Sequence, residues 1–88
     1  DDMDEMLERF FPQRAREQGV SGLAVLTVRI SADGRVGDMA VLRETDDYGF
    51  GKACMRALRE KPWQPPLNRE GRPVMTEIRY QCEFDVSY

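Results

Sequence analysis

Between Gly22 and Arg43 the chain spells out a β-hairpin, and every other segment has to be fitted around it. Ala24, Leu26, Val28 and Ile30 alternate with Thr27 and Arg29, and Val25 joins the second face. An apolar period of two, rich in β-branched residues, marks a strand with one buried face. Ser31-Ala32-Asp33-Gly34 follows, with a glycine placed to take the positive φ that closes a short loop. Apolar residues resume at Val36, Met39, Val41 and Leu42. The remaining elements have to cover the apolar face of this hairpin.

Upstream, Asp1 to Glu5 is strongly acidic. Residues 1–9 read either as a solvated linker or arm, or as the first turn of a short helix carrying Met3, Met6 and Leu7. The residue before a proline is pushed out of the helical region, so Phe10-Phe11-Pro12 ends this segment. Pro12 suits the first turn of the next helix, Gln13 to Gln18, with Ala15 buried and Gly19 as the left-handed stop. Downstream, Asp46 or Asp47 is placed to cap a second helix from about Tyr48 to Glu60, whose start is set only to within a few residues because Gly49 and Gly51 weaken its first turn. Phe50, Ala53, Cys54, Ala57 and Leu58 form its apolar stripe, while Lys52, Arg56, Arg59 and Lys61 face water. Pro62 ends the helix, and Trp63-Gln64-Pro65-Pro66 is extended, with Trp63 covering the core. Asn68 to Pro73 is a polar loop around Gly71. From Val74 to Tyr88 alternation returns. Ile78, Tyr80, Cys82, Phe84 and Val86 share one face; Glu77, Arg79, Gln81, Glu83 and Asp85 share the other.

The order helix, strand, strand, helix, strand makes an α+β two-layer sandwich. It predicts a three-stranded antiparallel sheet of order 2-1-3, with two helices on one face and a right-handed crossover. The third strand is then an edge with no proline after Pro73, free to accept another strand.

Composition narrows the chemistry. A chain of 88 residues forms one domain with little room for an enclosed cleft. Its formal net charge of −3 argues against a phosphate-neutralising surface, so no nucleic acid is expected. The absence of histidine removes Ser-His and Cys-His pairs and most zinc sites, and two cysteines are too few for a thiolate metal site. Carboxylates are plentiful, but no pair is spaced convincingly inside an apolar pocket. The expectation is therefore no enzyme, no metal and no cofactor. No run approaches the roughly 18 apolar residues that span a bilayer, and there is no signal-peptide pattern. The start at Asp1 rather than Met reads as an excerpt from a longer protein, with any anchor upstream.

Four motifs then stand in order. Phe11-Pro12-x-x-Ala15-Arg16 followed by Gly19-Val20-x-Gly22 resembles the opening of the TonB C-terminal domain family. Asp33-Gly34-Arg35-Val36 is similar to its first hairpin turn. Phe50 to Leu58 followed by Trp63-x-Pro65-Pro66 resembles its second helix and the aromatic-x-Pro beyond it. Gly71-Arg72-Pro73-Val74 resembles the entry to its last strand. The resemblance covers residues 10–88, leaving 1–9 as linker. Two departures are Phe11, where Tyr is common, and Lys61-Pro62-Trp63, where the family commonly has Trp-Arg-(Phe/Tyr).

The resemblance implies a periplasmic module of an inner-membrane protein with one upstream transmembrane helix. In the family this domain grips an outer-membrane transporter, whose short box adds to the last strand. An ExbB/ExbD-like proton-driven motor in the inner membrane energises it. By position, the partner-binding residues are Phe10, Phe11, Pro12 and Gln13, together with Thr76, Glu77, Ile78, Arg79, Tyr80, Gln81, Cys82, Glu83 and Phe84. The mechanism is β-augmentation, in which backbone hydrogen bonds supply grip and alternate side chains supply selectivity. Phe10 and Phe11 also read as core plugs or a hydrophobic staple. Cys54 and Cys82 both lie on core faces; in an oxidising periplasm they either bridge or stay buried thiols. Two other readings remain open. The last strand pairs with its twin in a homodimer, or the domain is an adaptor in another trans-envelope machine serving gliding motility, secretion or envelope maintenance.

Overall fold

The computed structural model of the protein describes residues 2–86; Asp1 of the expected arm, and Ser87 and Tyr88 of the expected last strand, lie outside them. The elements run α1 (Asp2–Arg9), α2 (Gln13–Gln18), β1 (Gly22–Ile30), β2 (Val36–Glu44), α3 (Phe50–Glu60) and β3 (Thr76–Phe84). The sheet has the order β2-β1-β3, with β1 antiparallel to both neighbours. This is the expected 2-1-3 arrangement.

β1 lies at the centre because it is the strand whose one face is wholly apolar. Ala24, Leu26, Val28 and Ile30 are all buried. α3 lays Phe50, Ala53, Cys54, Ala57 and Leu58 onto the sheet, and Phe11, Ala15, Cys82 and Phe84 complete the core. Cys54 of α3 and Cys82 of β3 form a disulfide, with their Cα atoms 5.9 Å apart. Helix α1 joins the two expected helices, and its Met3 and Leu7 lean on the core. The hairpin turn is stiffened by Asp33, whose carboxylate accepts from the Ser31 hydroxyl and from the Arg35 N–H at 3.1 Å. These bonds, the Ser31 hydroxyl first, hold its carboxyl below the usual carboxylate range.

Three expectations are corrected. α3 begins at Phe50, within the expected margin of Tyr48, but neither Asp46 nor Asp47 caps it; Gly49 in the left-handed region does, without a side-chain bond. The Asp47 carboxylate is taken by Arg14 of α2 at 3.2 Å, and Tyr48 donates its hydroxyl to Gln18 Oε1 at 2.7 Å. Leu42, read as part of the apolar set of β2, is 48% exposed. β3 is shorter than Val74–Tyr88 because its flanks bond elsewhere: Val74 N–H to Pro66 O at 2.8 Å, Val86 N–H to Ser21 Oγ at 2.9 Å.

Gly22 shows how closely the layers meet. A β-carbon there would overlap the Phe50 ring, with Phe50 Cδ2 only 2.6 Å away. The ring is fully buried and cannot swing out. Gly22→Ala is therefore expected to cost about 1–3 kcal/mol through overpacking. A urea unfolding curve reads this as a lower midpoint with an unchanged slope.

Candidate functional site

Among the described residues no polar or charged side chain is buried, and no group of ligand-type side chains is placed to hold a metal. What the fold leaves open is backbone. A strand at the edge of a sheet presents N–H and C=O groups that its own chain does not pair.

The two edges differ. β2 slips register against β1 twice, between Val25 and Leu26 and between Val28 and Ile30. Leu26 faces Val41 while Val25 faces Arg43, so Leu42 is the extra residue of a bulge, which explains its exposure. Bulges blunt an edge against further pairing. β3 has none: it keeps one register with β1 from Gly22↔Phe84 to Ile30↔Thr76.

The direction of each β3 backbone group follows from one contact. Leu23 O accepts from Thr45 N–H at 3.0 Å, so Leu23 points toward β2. Its alternate neighbours Gly22, Ala24, Leu26, Val28 and Ile30 then point toward β3. Their partners Phe84, Cys82, Tyr80, Ile78 and Thr76 spend their ladder groups inward. Glu77, Arg79, Gln81 and Glu83 therefore aim N–H and C=O at the free edge. The same four residues carry exposed side chains on the open face of the sheet. On that face Arg29 pairs with Glu77 at 3.6 Å, and Gln81 donates to Glu83 at 2.8 Å.

On the helix face, burial rises along the strand. Thr76, Ile78 and Tyr80 are half-buried, and Cys82 and Phe84 are fully enclosed. Tyr80 meets Trp63 edge-on at 6.1 Å, and burial, with a smaller contribution from the Asp4 charge, pushes its phenol pKa up. Beside the Phe84 end, Asp4, Leu7 and Glu8 of α1 line a shallow groove of about 150 Å³ together with the chain from Glu83 to Asp85. Trp63 is half-buried and donates its indole N–H to Leu58 O at 2.9 Å, which secures it against the core.

The candidate residues from the sequence divide. Thr76 to Phe84 form the edge strand as one unit, though Cys82 and Phe84 can offer no side chain to a partner. Of the two readings for Phe11, core plug and partner contact, the structure corrects the second: Phe11 is a core residue, 8% exposed, and packs edge-on against Phe50 at 6.2 Å and Phe84 at 5.7 Å. Phe10, Pro12 and Gln13 remain at the surface, where they line a groove with residues of α3. The acidic residues that α1 brings to this groove were missed, because Asp4 and Glu8 reach the Phe84 end of β3 only in three dimensions. The β2 bulge did leave a sign, since adjacent Val41 and Leu42 break the period of two.

A two-layer α+β domain with one straight, open edge strand defines the class: a module whose exposed chemistry is backbone hydrogen bonding. The chain belongs to the Gram-negative bacterial TonB protein C-terminal family, whose model matches residues 8–86. This is a family of periplasmic transducer domains. Among solved structures, the TonB2 protein of Vibrio anguillarum matches at 25% identity with a TM-score of 0.67, over 89% of this chain and 74% of that one. The Pseudomonas aeruginosa TonB C-terminal domain matches in fold with a TM-score of 0.71 at 23% identity, over 89% and 78%. The Helicobacter pylori TonB C-terminal domain has a TM-score of 0.60 at 17% identity, over 99% and 79%. Comparison with curated proteins gives no match.

Proposed function

We propose that this domain is the periplasmic coupling module of an inner-membrane-anchored, TonB-like protein. It takes an extended segment of an outer-membrane or periplasmic partner as a fourth strand on β3. Through that strand it transmits energy drawn from the proton-motive force by an ExbB/ExbD-like motor. The observation that carries this reading is the contrast between the edges, β2 bulged and β3 straight. An incoming strand would bond to the outward groups of Glu77, Arg79, Gln81 and Glu83. Ladder hydrogen bonds lie across the strand, so a pull along it loads them together. The Cys54–Cys82 bridge ties the loaded strand covalently to α3, and such bridges persist in the bacterial periplasm.

Gln81→Pro tests the reading. The Gln81 N–H points away from β1, so proline removes an outward donor and leaves the inner ladder intact; proline is tolerated at such edge positions. Box-like peptides from outer-membrane transporters are expected to shift the amides of Glu77 to Glu83 in the wild-type domain. In Gln81→Pro that response is lost while the melting temperature stays within about 5 °C. If the variant binds as well as wild type, strand addition at this edge is wrong. If no peptide moves these amides at millimolar concentration, the transporter is not the partner and the domain serves another envelope machine.

A further inference from the structure

The helix side of the domain carries a groove that strand addition does not use. It runs between the α1–α2 connection and the first turns of α3, with a volume of about 440 Å³. Phe10, Pro12 and Ala53 supply apolar lining, and Arg9, Lys52 and Arg56 supply cations. Phe10 is half-buried between two guanidinium groups, Arg9 at 4.8 Å and Arg56 at 4.6 Å from the ring centroid. Arg9 is paired with Glu60. Lys52 and Arg56 lie one turn apart on α3 and have no carboxylate partner among the described residues.

Charge and shape identify the occupant. Two unneutralised cations beside an apolar groove call for carboxylates on either side of an apolar side chain. The stacking of Arg56 on Phe10 fixes both groups beforehand, so less side-chain freedom is lost on binding. Gly49, at the positive end of the α3 dipole, also lines the groove. An extended anionic surface fits poorly. The whole chain carries a net charge of −3, and α1 presents Asp4, Glu5 and Glu8. A short segment entering the groove meets its cations without bringing a charged sheet against that helix.

We propose that this groove is a second docking site, which takes an acidic peptide segment of a protein partner. Carboxylates sit on Lys52 and Arg56, and an apolar side chain between them rests on Phe10, Pro12 and Ala53. The site is separate from the β3 edge and stands whether or not that edge accepts a strand.

The test is an amide-shift titration of the isotope-labelled chain with the capped peptide Gly-Glu-Leu-Glu-Gly and its Gln-for-Glu counterpart. The acidic peptide is expected to move Phe10, Gln13, Lys52, Ala53 and Arg56 and to leave Glu77 to Glu83 in place. Lys52→Glu combined with Arg56→Glu weakens binding roughly tenfold or more, since two exposed ion pairs in the upper half of their range are worth about 1.4–2 kcal/mol together. Raising sodium chloride weakens it too, because the pairs are open to screening. The control Arg69→Glu with Arg72→Glu binds as wild type. Equal shifts with the Gln peptide, or none at millimolar concentration, overturn the proposal. So does a response at these amides to inorganic phosphate or anionic phosphatidylglycerol vesicles that exceeds the response to the peptide.

Discussion

Phe50→Ala is expected to cost about 3–5 kcal/mol, close to the whole stability of a weakly stable domain of this size. Phe50 is fully buried and joins the layers from several sides. Its ring lies 5.2 Å from Phe84 of β3, 6.2 Å from Phe11 and 6.0 Å from Tyr48, and it covers the bare backbone of Gly22. Truncation opens a cavity where helix, edge strand and central strand meet. The neighbours cannot collapse into it, because Phe84 is anchored on β3 and Phe11 sits just ahead of Pro12. Urea unfolding followed by far-UV circular dichroism measures the loss. Phe50→Leu, which keeps most of the volume, should cost clearly less. A loss below about 1 kcal/mol for the alanine variant would falsify this account of the core.

Removing the disulfide is the second large effect. Cys54 and Cys82 are 28 residues apart in sequence, and closing a loop of that length stabilises by about 3.5 kcal/mol when the unfolded chain is the main thing restrained. The double variant Cys54→Ala, Cys82→Ala should lose about that much, with a small further loss from the sulfur atoms it deletes from the core. Both residues are fully buried, so a soluble thiol reaches the bond only when the domain opens. Reduction of the native domain should therefore be slow and accelerate with low urea. The consequence for function is local. The bridge holds β3, the proposed loaded strand, to α3 independently of its ladder with β1. Hydrogen exchange in the double variant should quicken at Thr76 to Phe84 more than at Ala24 to Ile30. Uniform quickening across both strands would mean that the bridge stabilises the domain as a whole without specially securing its edge.

The sheet was readable because each of its two best strands repeats a local rule. Ile78 to Phe84 alternates without a break and Ala24 to Ile30 with only Val25 out of pattern, and both strands lie where the alternation places them. The stripe from Phe50 to Leu58 was equally plain, and α3 buries that set. The α3 cap was not readable. Asp46 and Asp47 both had cap chemistry, but Arg14, 33 residues upstream of Asp47, claims the Asp47 carboxylate. Phe10 and Phe11 were indistinguishable as neighbours before a proline. Phe11 enters the core because Phe50 and Phe84 receive its ring, while Phe10 stays outside between Arg9 and Arg56.

The amino-acid sequence by itself determined which segments are strands or helices and which face of each is apolar, because periodicity and turn chemistry act over a few residues. It also carried the spaced motifs that place the chain in its family. Tertiary structure alone decided that β2 is bulged while β3 keeps an unbroken register, which aromatic is buried, that the two cysteines join, and that Arg56 stacks on Phe10 beside Lys52. Each of these depends on groups far apart in sequence meeting in space. The bulges of β2 express its fit to a central strand whose other side keeps a continuous register with β3.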